Sequence, residues 1–291
     1  MFIYSTWRIK VLLLLPSIIF FCVYVLYPVG SSLITAFQFK PTYQPGHFVG
    51  LANFATMLTD QRLWIALKNT FIVVVLELAL IPTLSFLLGL FLNVDFRGNN
   101  IVKVLCFTPY VISGIITTLV WFFIVDPRIG IINGFLNAIH IDSSSLMLIG
   151  GPTLTPYTVA VIETWKALGF YSVLFMAGMK QIPAELYDAA GMDGASAIQR
   201  VRFITLPMLR ETNKIVAVYV FLNAVQSLQT VYILTNGQPN FQSHTIGSYL
   251  YEVFVSERRA GYASSLALLM FILMMGVSII FLRLNAQRVG E

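Results

Sequence analysis

Long apolar runs separated by short polar segments dominate this chain. Six of the runs are long enough to cross a membrane as helices, because the bilayer core requires about 20 mostly apolar residues. The predicted spans are Val11–Ser31, Ile65–Leu92, Val104–Val125, Thr155–Met176, Lys214–Thr235 and Tyr262–Leu284. No run shows the alternation of apolar and polar residues that membrane β-strands require. The pattern predicts an all-α membrane protein with six transmembrane helices, organised as a single transmembrane domain over residues 1–291.

The composition agrees with lipid as the main solvent. Of the 291 residues, 57% are hydrophobic and 11% are charged, whereas soluble domains carry about 25% charged residues. The net charge is +5, but Lys and Arg occur singly or in pairs beside apolar runs. This distribution is typical of membrane orientation and not of a surface that binds nucleic acid. Cys22 and Cys106 both lie within apolar runs, so neither a disulfide nor a metal site is expected.

The distribution of basic residues predicts the orientation. An even number of spans puts both termini on one side, and that side carries eleven Lys and Arg residues against five on the far side. Because cytoplasmic loops are enriched in these residues, both termini are predicted to be cytoplasmic. Arg8 and Lys10 precede the first run as they would in a secretory signal peptide. No clear small-x-small cleavage site follows, so the run is interpreted as an uncleaved span.

Two segments of the far-side loops have apolar residues at helical spacing. They are IGIINGFLNAI at residues 129–139 and IGSYLYEVF at residues 246–254. Amphipathic helices of this kind often lie in the plane of the membrane interface. We therefore expect both segments to rest on the bilayer surface.

A polar segment interrupts the apolar pattern between the fourth and fifth spans, within residues 180–211. Pro183 suits the first position of a helix, and Glu185 in the first turn favours its positive end. Two short helices are predicted, at residues 184–191 and 195–206, with a turn at Asp193-Gly194 between them and Pro207 ending the second. Helices this short are marginal alone in water. They are expected to dock either on their own membrane helices or on a partner, and both readings stay open.

The same segment resembles the EAA motif of ABC importer permeases. Asp188-Ala189-Ala190 is followed by Gly194 after three residues, by Ile204 after nine more, and then by Leu206-Pro207. Asp188 stands where the family usually has Glu, which shortens the reach of the carboxylate by one methylene. Two further stretches are similar to the sugar-uptake branch related to the maltose and glycerol-phosphate permeases. They are FVGLANF before the second span and LTNGQP at the end of the fifth.

The resemblance implies a multi-subunit assembly in a bacterial-type cytoplasmic membrane. A second homologous permease, a cytoplasmic ABC ATPase dimer and an extracytoplasmic solute-binding protein are the implied partners. Because the chain has no GxxxxGK[ST] phosphate loop, ATP and Mg are expected to be bound by the ATPase and no cofactor by this non-catalytic chain. The residues implied in coupling to the ATPase are Glu185, Asp188, Ala189, Ala190, Gly194, Ile204, Leu206 and Pro207.

Polar residues within the spans are candidates for a solute path, because charged groups inside a membrane usually face a cavity or a partner. Span four carries Glu163 and Lys166 on one face, and span five carries a polar stripe at helical spacing. A self-neutralising pair and helix–helix hydrogen bonding are the alternatives. With the resemblance as a guide, the predicted substrate-path residues are Glu163, Lys166, Ala167, Phe170, Asn223, Ala224, Gln226, Ser227 and Thr230. Glu77 has no nearby cation in sequence and is expected to reach another helix or to carry a proton.

Three functions are compatible with these features. The first is the membrane subunit of a binding-protein-dependent importer for a sugar or oligosaccharide. The second is a stand-alone secondary transporter or channel, driven by an ion gradient through Glu77, Glu163 or Lys166, which leaves the polar loop unexplained. The third is a membrane enzyme, which would require clustered catalytic groups, whereas the three histidines are scattered over the far-side loops.

Overall fold

The computed structural model describes residues 7–140, 148–151 and 153–286, and these ranges are almost entirely helical. Residues 1–6, 141–147, 152 and 287–291 of the predicted domain lie outside the described residues. The helices are α1 Trp7–Phe21, α2 Tyr27–Ala36, α3 Ala52–Thr59, α4 Gln61–Leu92, α5 Asn99–Val111, α6 Gly114–Val125, α7 Ile131–Ala138, α8 Thr155–Met179, α9 Ala184–Met192, α10 Ala197–Arg200, α11 Leu206–Met208, α12 Arg210–Val225, α13 Gln229–Leu234, α14 Ile246–Val255 and α15 Ala260–Ala286. Single π-helical turns, Cys22–Leu26 and Val201–Thr205, join α1 to α2 and α10 to α11. Strands β1 (Gln38–Phe39) and β2 (His47–Phe48) form a short antiparallel hairpin, with Gln38 opposite Phe48.

Five helical segments are long and apolar enough to cross a membrane. They are Lys10–Ala36, Gln61–Leu92, Thr155–Met179, Arg210–Leu234 and Ala260–Phe281. The bent pair of α5 and α6 makes six if it is counted as one span. The predicted helical membrane fold is therefore confirmed.

The third predicted span consists of two helices with a sharp bend between them. Helices α5 and α6 meet at an angle of 96°. Ile112 has φ −67° and ψ 143°, and Ser113 has φ −48° and ψ 129°, so the backbone is extended at both residues. Pro109 lies within α5 upstream of the break. Extended backbone at membrane depth is tolerated where it is buried in protein or lines a cavity, and the latter applies here.

The fifth predicted span is also interrupted. Helix α12 ends at Val225 and α13 begins at Gln229. The predicted polar stripe was drawn on one continuous helix, and this geometry is wrong because the stripe crosses the break.

One compact unit contains the described part of residues 1–60 together with residues 250–271. Asn53, from the FVGLANF stretch, donates from Nδ2 to the carbonyl oxygens of Ala36 and Gln38, at 2.9 Å each. These bonds fix the chain between the end of α2 and the hairpin. Gly261 lies so close to the hairpin that an added Cβ would be 2.0 Å from the carbonyl oxygen of Gln38.

The second unit contains residues 61–249 and the described part of residues 272–291, and α4 packs along α8 at its centre. Small residues allow this close packing, as is common between membrane helices. Ser85 donates to the carbonyl oxygen of Leu168 at 3.3 Å, and a Cβ on Gly89 would lie 3.1 Å from the carbonyl oxygen of Ser172. Gly169 brings α8 against α5, because its added Cβ would be 2.0 Å from the carbonyl oxygen of Cys106.

The two predicted interfacial segments differ from each other in the structure. Helix α7 exposes Ile131 and Phe135, so its place at the membrane interface stays a prediction. Helix α14 instead buries Ile246 and Tyr249 completely within the protein. The Ile246 amide donates to Thr70 Oγ1 at 2.8 Å, so the start of α14 is held by protein and does not rest on the bilayer as expected.

Candidate functional site

A cavity of about 510 Å³ lies among the helices of the second unit. Helices α4, α5, α6, α8 and α12 contribute to its wall, together with the chain between α12 and α13. Its lining residues are Glu77, Ile81, Tyr110, Ile112, Gly114, Glu163, Lys166, Ala167, Tyr171, Val220, Asn223, Gln226, Ser227, Leu228 and Gln229. Small-molecule sites typically measure about 300–1,000 Å³, so the cavity has the size of a ligand site.

Both helix breaks face this cavity. Ile112 and Gly114 line it from the α5–α6 break, and Gln226 to Gln229 line it from the α12–α13 break. A Cβ added to Gly114 would lie 2.7 Å from Gln229 Oε1 and 3.7 Å from Lys166 Nζ. The two breaks therefore contribute polar side chains and irregular backbone to one place, as membrane transporters do at solute sites.

Glu163 and Lys166 form an ion pair in the cavity wall. Lys166 Nζ donates to Glu163 Oε1 at 2.9 Å and to Oε2 at 3.0 Å, and both side chains are largely buried. Thr230 of α13 also donates to Glu163 Oε1. The Thr230 hydroxyl lies 3.3 Å from that of Thr118 on α6. The predicted ion pair is thus real, and it also joins three helices beside the cavity.

An amide and two aromatic rings add to the wall. Asn223 Nδ2 donates to the backbone oxygen of Tyr219 at 2.9 Å and to the hydroxyl oxygen of Tyr171 at 3.3 Å. Tyr110 lines the cavity and stacks on Phe170, with ring centroids 4.3 Å apart and planes 12° from parallel. Tyr110 and Tyr171 therefore supply the aromatic side chains of the wall, and Phe170 packs on Tyr110 without lining the cavity.

The predicted substrate-path residues divide into two groups. Glu163, Lys166, Ala167, Asn223, Gln226 and Ser227 line the cavity. Phe170, Ala224 and Thr230 do not. Ala224 is buried in the apolar core beside α8, and Thr230 is fully buried and acts through Glu163. The prediction for Ala224 and Thr230 assumes one regular helix through residues 214–235, which the structure interrupts. Phe170 lies on the continuous helix α8 and packs on Tyr110. The contribution of these three residues to the solute path stays a prediction.

Sequence reasoning did not assign Glu77, Tyr110, Tyr171 or Gln229 to the site. Glu77 comes from α4, and its side chain is only 3% exposed. Within the part of the chain that the structure describes, Glu77 Oε1 makes no hydrogen bond. The sequence does show Glu77 as a single acidic residue within an apolar run, which suggests a functional position. It does not show which helices α4 packs against, and therefore not that Glu77 would line this cavity.

The polar loop forms the two predicted helices and the turn between them. Helix α9 begins at Ala184, with Pro183 as its N-cap residue and not at its first helical position. Gly194 has φ +75°, which residues other than glycine rarely adopt, so the predicted turn is confirmed. The second helical run begins with a capping box. The backbone N–H of Gln199 donates to Ser196 Oγ, and the backbone N–H of Ser196 donates to Gln199 Oε1.

The second helical run ends later than predicted. It continues through the π-helical turn into α11, which contains Pro207, and the chain turns at Leu209 with φ −87° and ψ 11°. Pro207 has no N–H to donate to the carbonyl of Phe203. The widened turn Val201–Thr205 precedes it, and there the Leu206 amide bonds to the carbonyl oxygen of Val201.

The loop is anchored on one side and exposed on the other. Ile182 and Leu209 are buried in the core between α8 and α12, and the Tyr187 hydroxyl lies 2.9 Å from Thr205 Oγ1. Asp188 and Ala189 are exposed. Three apolar side chains are also exposed, Met192 by 85%, Ile198 by 79% and Phe203 by 69%. Exposed apolar side chains of this kind are available for contact with a protein partner or with lipid.

These features define a multi-pass membrane protein of the transporter class, with a ligand-sized polar cavity between its spans and an anchored loop outside them. The chain belongs to the family of binding-protein-dependent transport system inner membrane components, whose model matches residues 81–291. It is therefore a non-catalytic subunit of the inner membrane, as its resemblance to ABC importer permeases predicted. Among the described residues, no cluster of His, Cys, Asp and Glu could hold a metal ion.

Individual relatives agree with this assignment. The chain is 30% identical over 269 residues to the diacetylchitobiose uptake system permease protein of Streptomyces coelicolor, covering 86% of this chain and 74% of that protein. It is 29% identical over 285 residues to the sulfoquinovosyl glycerol transport system permease protein of Agrobacterium fabrum, covering 95% and 90%. The crystal structure of a bacterial ABC transporter involved in import of the acidic polysaccharide alginate contains a chain with the same fold. Its TM-score is 0.84 and its identity 23%, over 98% of this chain and 96% of that one.

Proposed function

We propose that this chain is the membrane subunit of an ATP-driven, binding-protein-dependent importer for a sugar or oligosaccharide. One observation carries the proposal: the two helices that flank the polar loop also wall the cavity. Helix α8 ends at Met179 before the loop, and α12 begins at Arg210 after it. A force applied to residues 180–211 therefore reaches both helices directly, and alternating access at the cavity can follow movement of the loop.

The chemistry of the cavity suits a sugar. Sugar hydroxyls both donate and accept hydrogen bonds, and the wall offers amide groups at Asn223, Gln226 and Gln229 and a carboxylate at Glu163. The face of Tyr110 suits the C–H surface of a sugar ring. The relatives described above are named for sugar-containing solutes, which supports this class of solute here.

The proposed partners follow from the loop and from the family. A cytoplasmic ABC ATPase dimer would grip the exposed surface of α9, with Asp188 meeting a basic group, and Ala189, Ala190 and Gly194 shaping the contact. The ATPase would bind ATP and Mg, and this chain would bind neither. A second, homologous permease would complete the path, and an extracytoplasmic solute-binding protein would deliver the solute, as the family description implies.

Reversing the charge of Asp188 tests the coupling. Asp188→Lys is expected to weaken co-purification of the ATPase by about tenfold or more, which corresponds to about 1.4 kcal/mol, and to abolish uptake. Asp95→Lys makes the same change at an exposed residue of the loop between α4 and α5, on the side predicted to be cytoplasmic, and is the matched control. Equal ATPase recovery in both variants, or solute movement by this chain alone in liposomes, would contradict the proposal.

A further inference from the structure

Glu77 and Ser227 line the cavity, and each has a buried polar atom that lacks a hydrogen-bond partner among the described residues. Among the residues that the structure describes, neither Glu77 Oε1 nor Ser227 Oγ has a hydrogen-bond partner, although both atoms are buried. Both residues line the cavity, from α4 and from the α12–α13 break. Leaving a buried polar atom without a partner costs about 1–3 kcal/mol. A bound molecule that reached these two atoms would supply the missing hydrogen bonds.

The charged groups of the cavity are unbalanced. Its ionisable lining groups include two carboxylates, Glu77 and Glu163, and one ammonium, Lys166. Lys166 is held by both oxygens of Glu163, at 2.9 and 3.0 Å, so this pair neutralises itself. Glu77 is the remaining acidic group. A cation beside Glu77 favours the ionised form of its carboxyl group, which only accepts hydrogen bonds, so a cationic donor would satisfy it.

We propose that Glu77 contacts the solute and that the cavity takes a sugar bearing a basic amino group. The ammonium of the solute pairs with Glu77, and a neighbouring hydroxyl bonds to Ser227. This inference rests on the proposed import of a sugar, and it specifies that the sugar carries a positive charge. Hydrogen bonds between charged groups are about twice as strong as neutral ones. A carboxylated or sulfonated sugar would instead bring a second negative charge to Glu77, so its binding is disfavoured.

Three disaccharides matched in size and linkage test the charge class. They are chitobiose, which carries two amines, cellobiose, which is uncharged, and cellobiouronic acid, which carries a carboxylate. Calorimetric titration uses the complete complex of this chain with its partner permease and ATPase, without the binding protein, whose own selectivity would obscure the result. We expect chitobiose to bind about tenfold more tightly than cellobiose, a difference of about 1.4 kcal/mol, and cellobiouronic acid to bind most weakly.

Variants of Glu77 connect this preference to one side chain. Glu77→Gln keeps the shape of the side chain and removes its charge. Chitobiose and cellobiose should then bind this variant with about equal affinity, mainly because chitobiose binding weakens. Glu77→Asp keeps the charge and should retain part of the preference. Glu211→Gln is the matched control, because Glu211 is exposed at the start of α12 and pairs with Lys214 at 2.5 Å, away from the cavity. Melting temperatures of each complex verify that it is folded.

The outcomes separate the inference from the proposed function. Equal affinities for chitobiose and cellobiose, or tighter binding of cellobiouronic acid, would overturn the inference and leave sugar import standing. A preference that survives in Glu77→Gln would also overturn it, because another group would then recognise the amine. Binding of none of the three sugars by an intact complex would contradict the inference and the proposed sugar import together.

Discussion

The cavity and the polar loop have opposite relations to their surroundings. Within the spans, the cavity holds Glu77, Glu163 and Asn223, which are polar groups in an apolar layer. Outside the spans, the loop exposes Met192 and Phe203, which are apolar groups that the described part of the chain leaves uncovered. A buried polar atom without a partner, as at Glu77, and an exposed apolar side chain in water each cost free energy until something covers them. The contrast agrees with the proposed function, in which a polar ligand binds between the helices and a protein partner binds at the loop.

The largest effect is expected from Gly169→Ala, which disrupts the packing between α5 and α8, two of the helices that form the cavity wall. The added Cβ would lie 2.0 Å from the backbone oxygen of Cys106, which cannot rotate away as a side chain can. Helix α5 must then move off α8, and overpacking of this kind costs about 1–3 kcal/mol. We expect a lower melting temperature of the purified complex and loss of uptake.

Gly276→Ala is the control for this experiment. Gly276 lies in α15, and a Cβ added there meets no atom within 4 Å. Its melting temperature should be unchanged or slightly raised, because Ala favours a helix over Gly. Unchanged stability of Gly169→Ala would show that α5 does not pack on α8 as described.

An intermediate effect is expected from substitutions in the cavity, which should change uptake without changing the contact between the loop and the ATPase. Asn223→Ala removes an amide from the wall, and Glu163→Ala leaves Lys166 without its partner. Hydrogen bonds contribute about 0.5–1.5 kcal/mol, and those to charged groups about 1.5–3 kcal/mol. Uptake should therefore fall by roughly two- to tenfold for Asn223→Ala and by more for Glu163→Ala. ATPase co-purification should remain normal, because the loop is untouched.

Asn213→Ala provides the comparison on the same helix. Asn213 lies on α12 but does not line the cavity, so its uptake should stay close to that of the unchanged protein. Normal transport by both Asn223→Ala and Glu163→Ala would remove the cavity from the solute path.

The smallest effect is expected from Ser196→Ala in the loop. This change removes the hydrogen bond from the Gln199 amide to Ser196 Oγ, and loss of an N-cap costs about 1 kcal/mol locally. Hydrogen exchange should become faster over residues 197–200 while ATPase binding changes less than twofold. Ser196→Thr retains the acceptor and should exchange like the unchanged protein. Equal exchange in all three proteins would contradict the capping box.

The sequence predicts the long helices well and the interrupted ones poorly. Helices α4 and α8 follow from uninterrupted apolar runs, and their ends differ from the prediction by at most four residues. The α5–α6 break has a local signal, since Pro109 and Gly114 flank it. The α12–α13 break has none, because no Gly or Pro occurs in residues 226–228. It is set by tertiary contacts, including the 2.7 Å bond from Thr245 Oγ1 to the Ser227 carbonyl oxygen.

The same distinction applies to the two functional regions. The turn at Gly194 and the helices on either side of it depend on neighbouring residues, so short-range patterns predict them. The cavity depends on which helices meet. Glu77 and Glu163 are 86 positions apart, and only the packing of α4 on α8 brings both to one wall. Periodicity identified polar faces on spans four and five but not the contribution of α4.

The exposed apolar side chains of the loop also constrain how the subunit is made. In the proposed assembly the ATPase covers Met192, Ile198 and Phe203, so a newly synthesised chain without that partner would leave these apolar side chains exposed. Production of this chain in excess over its ATPase should therefore yield self-associated or degraded protein. Synthesis of both subunits in equal amounts is expected to give a soluble, monodisperse complex in detergent.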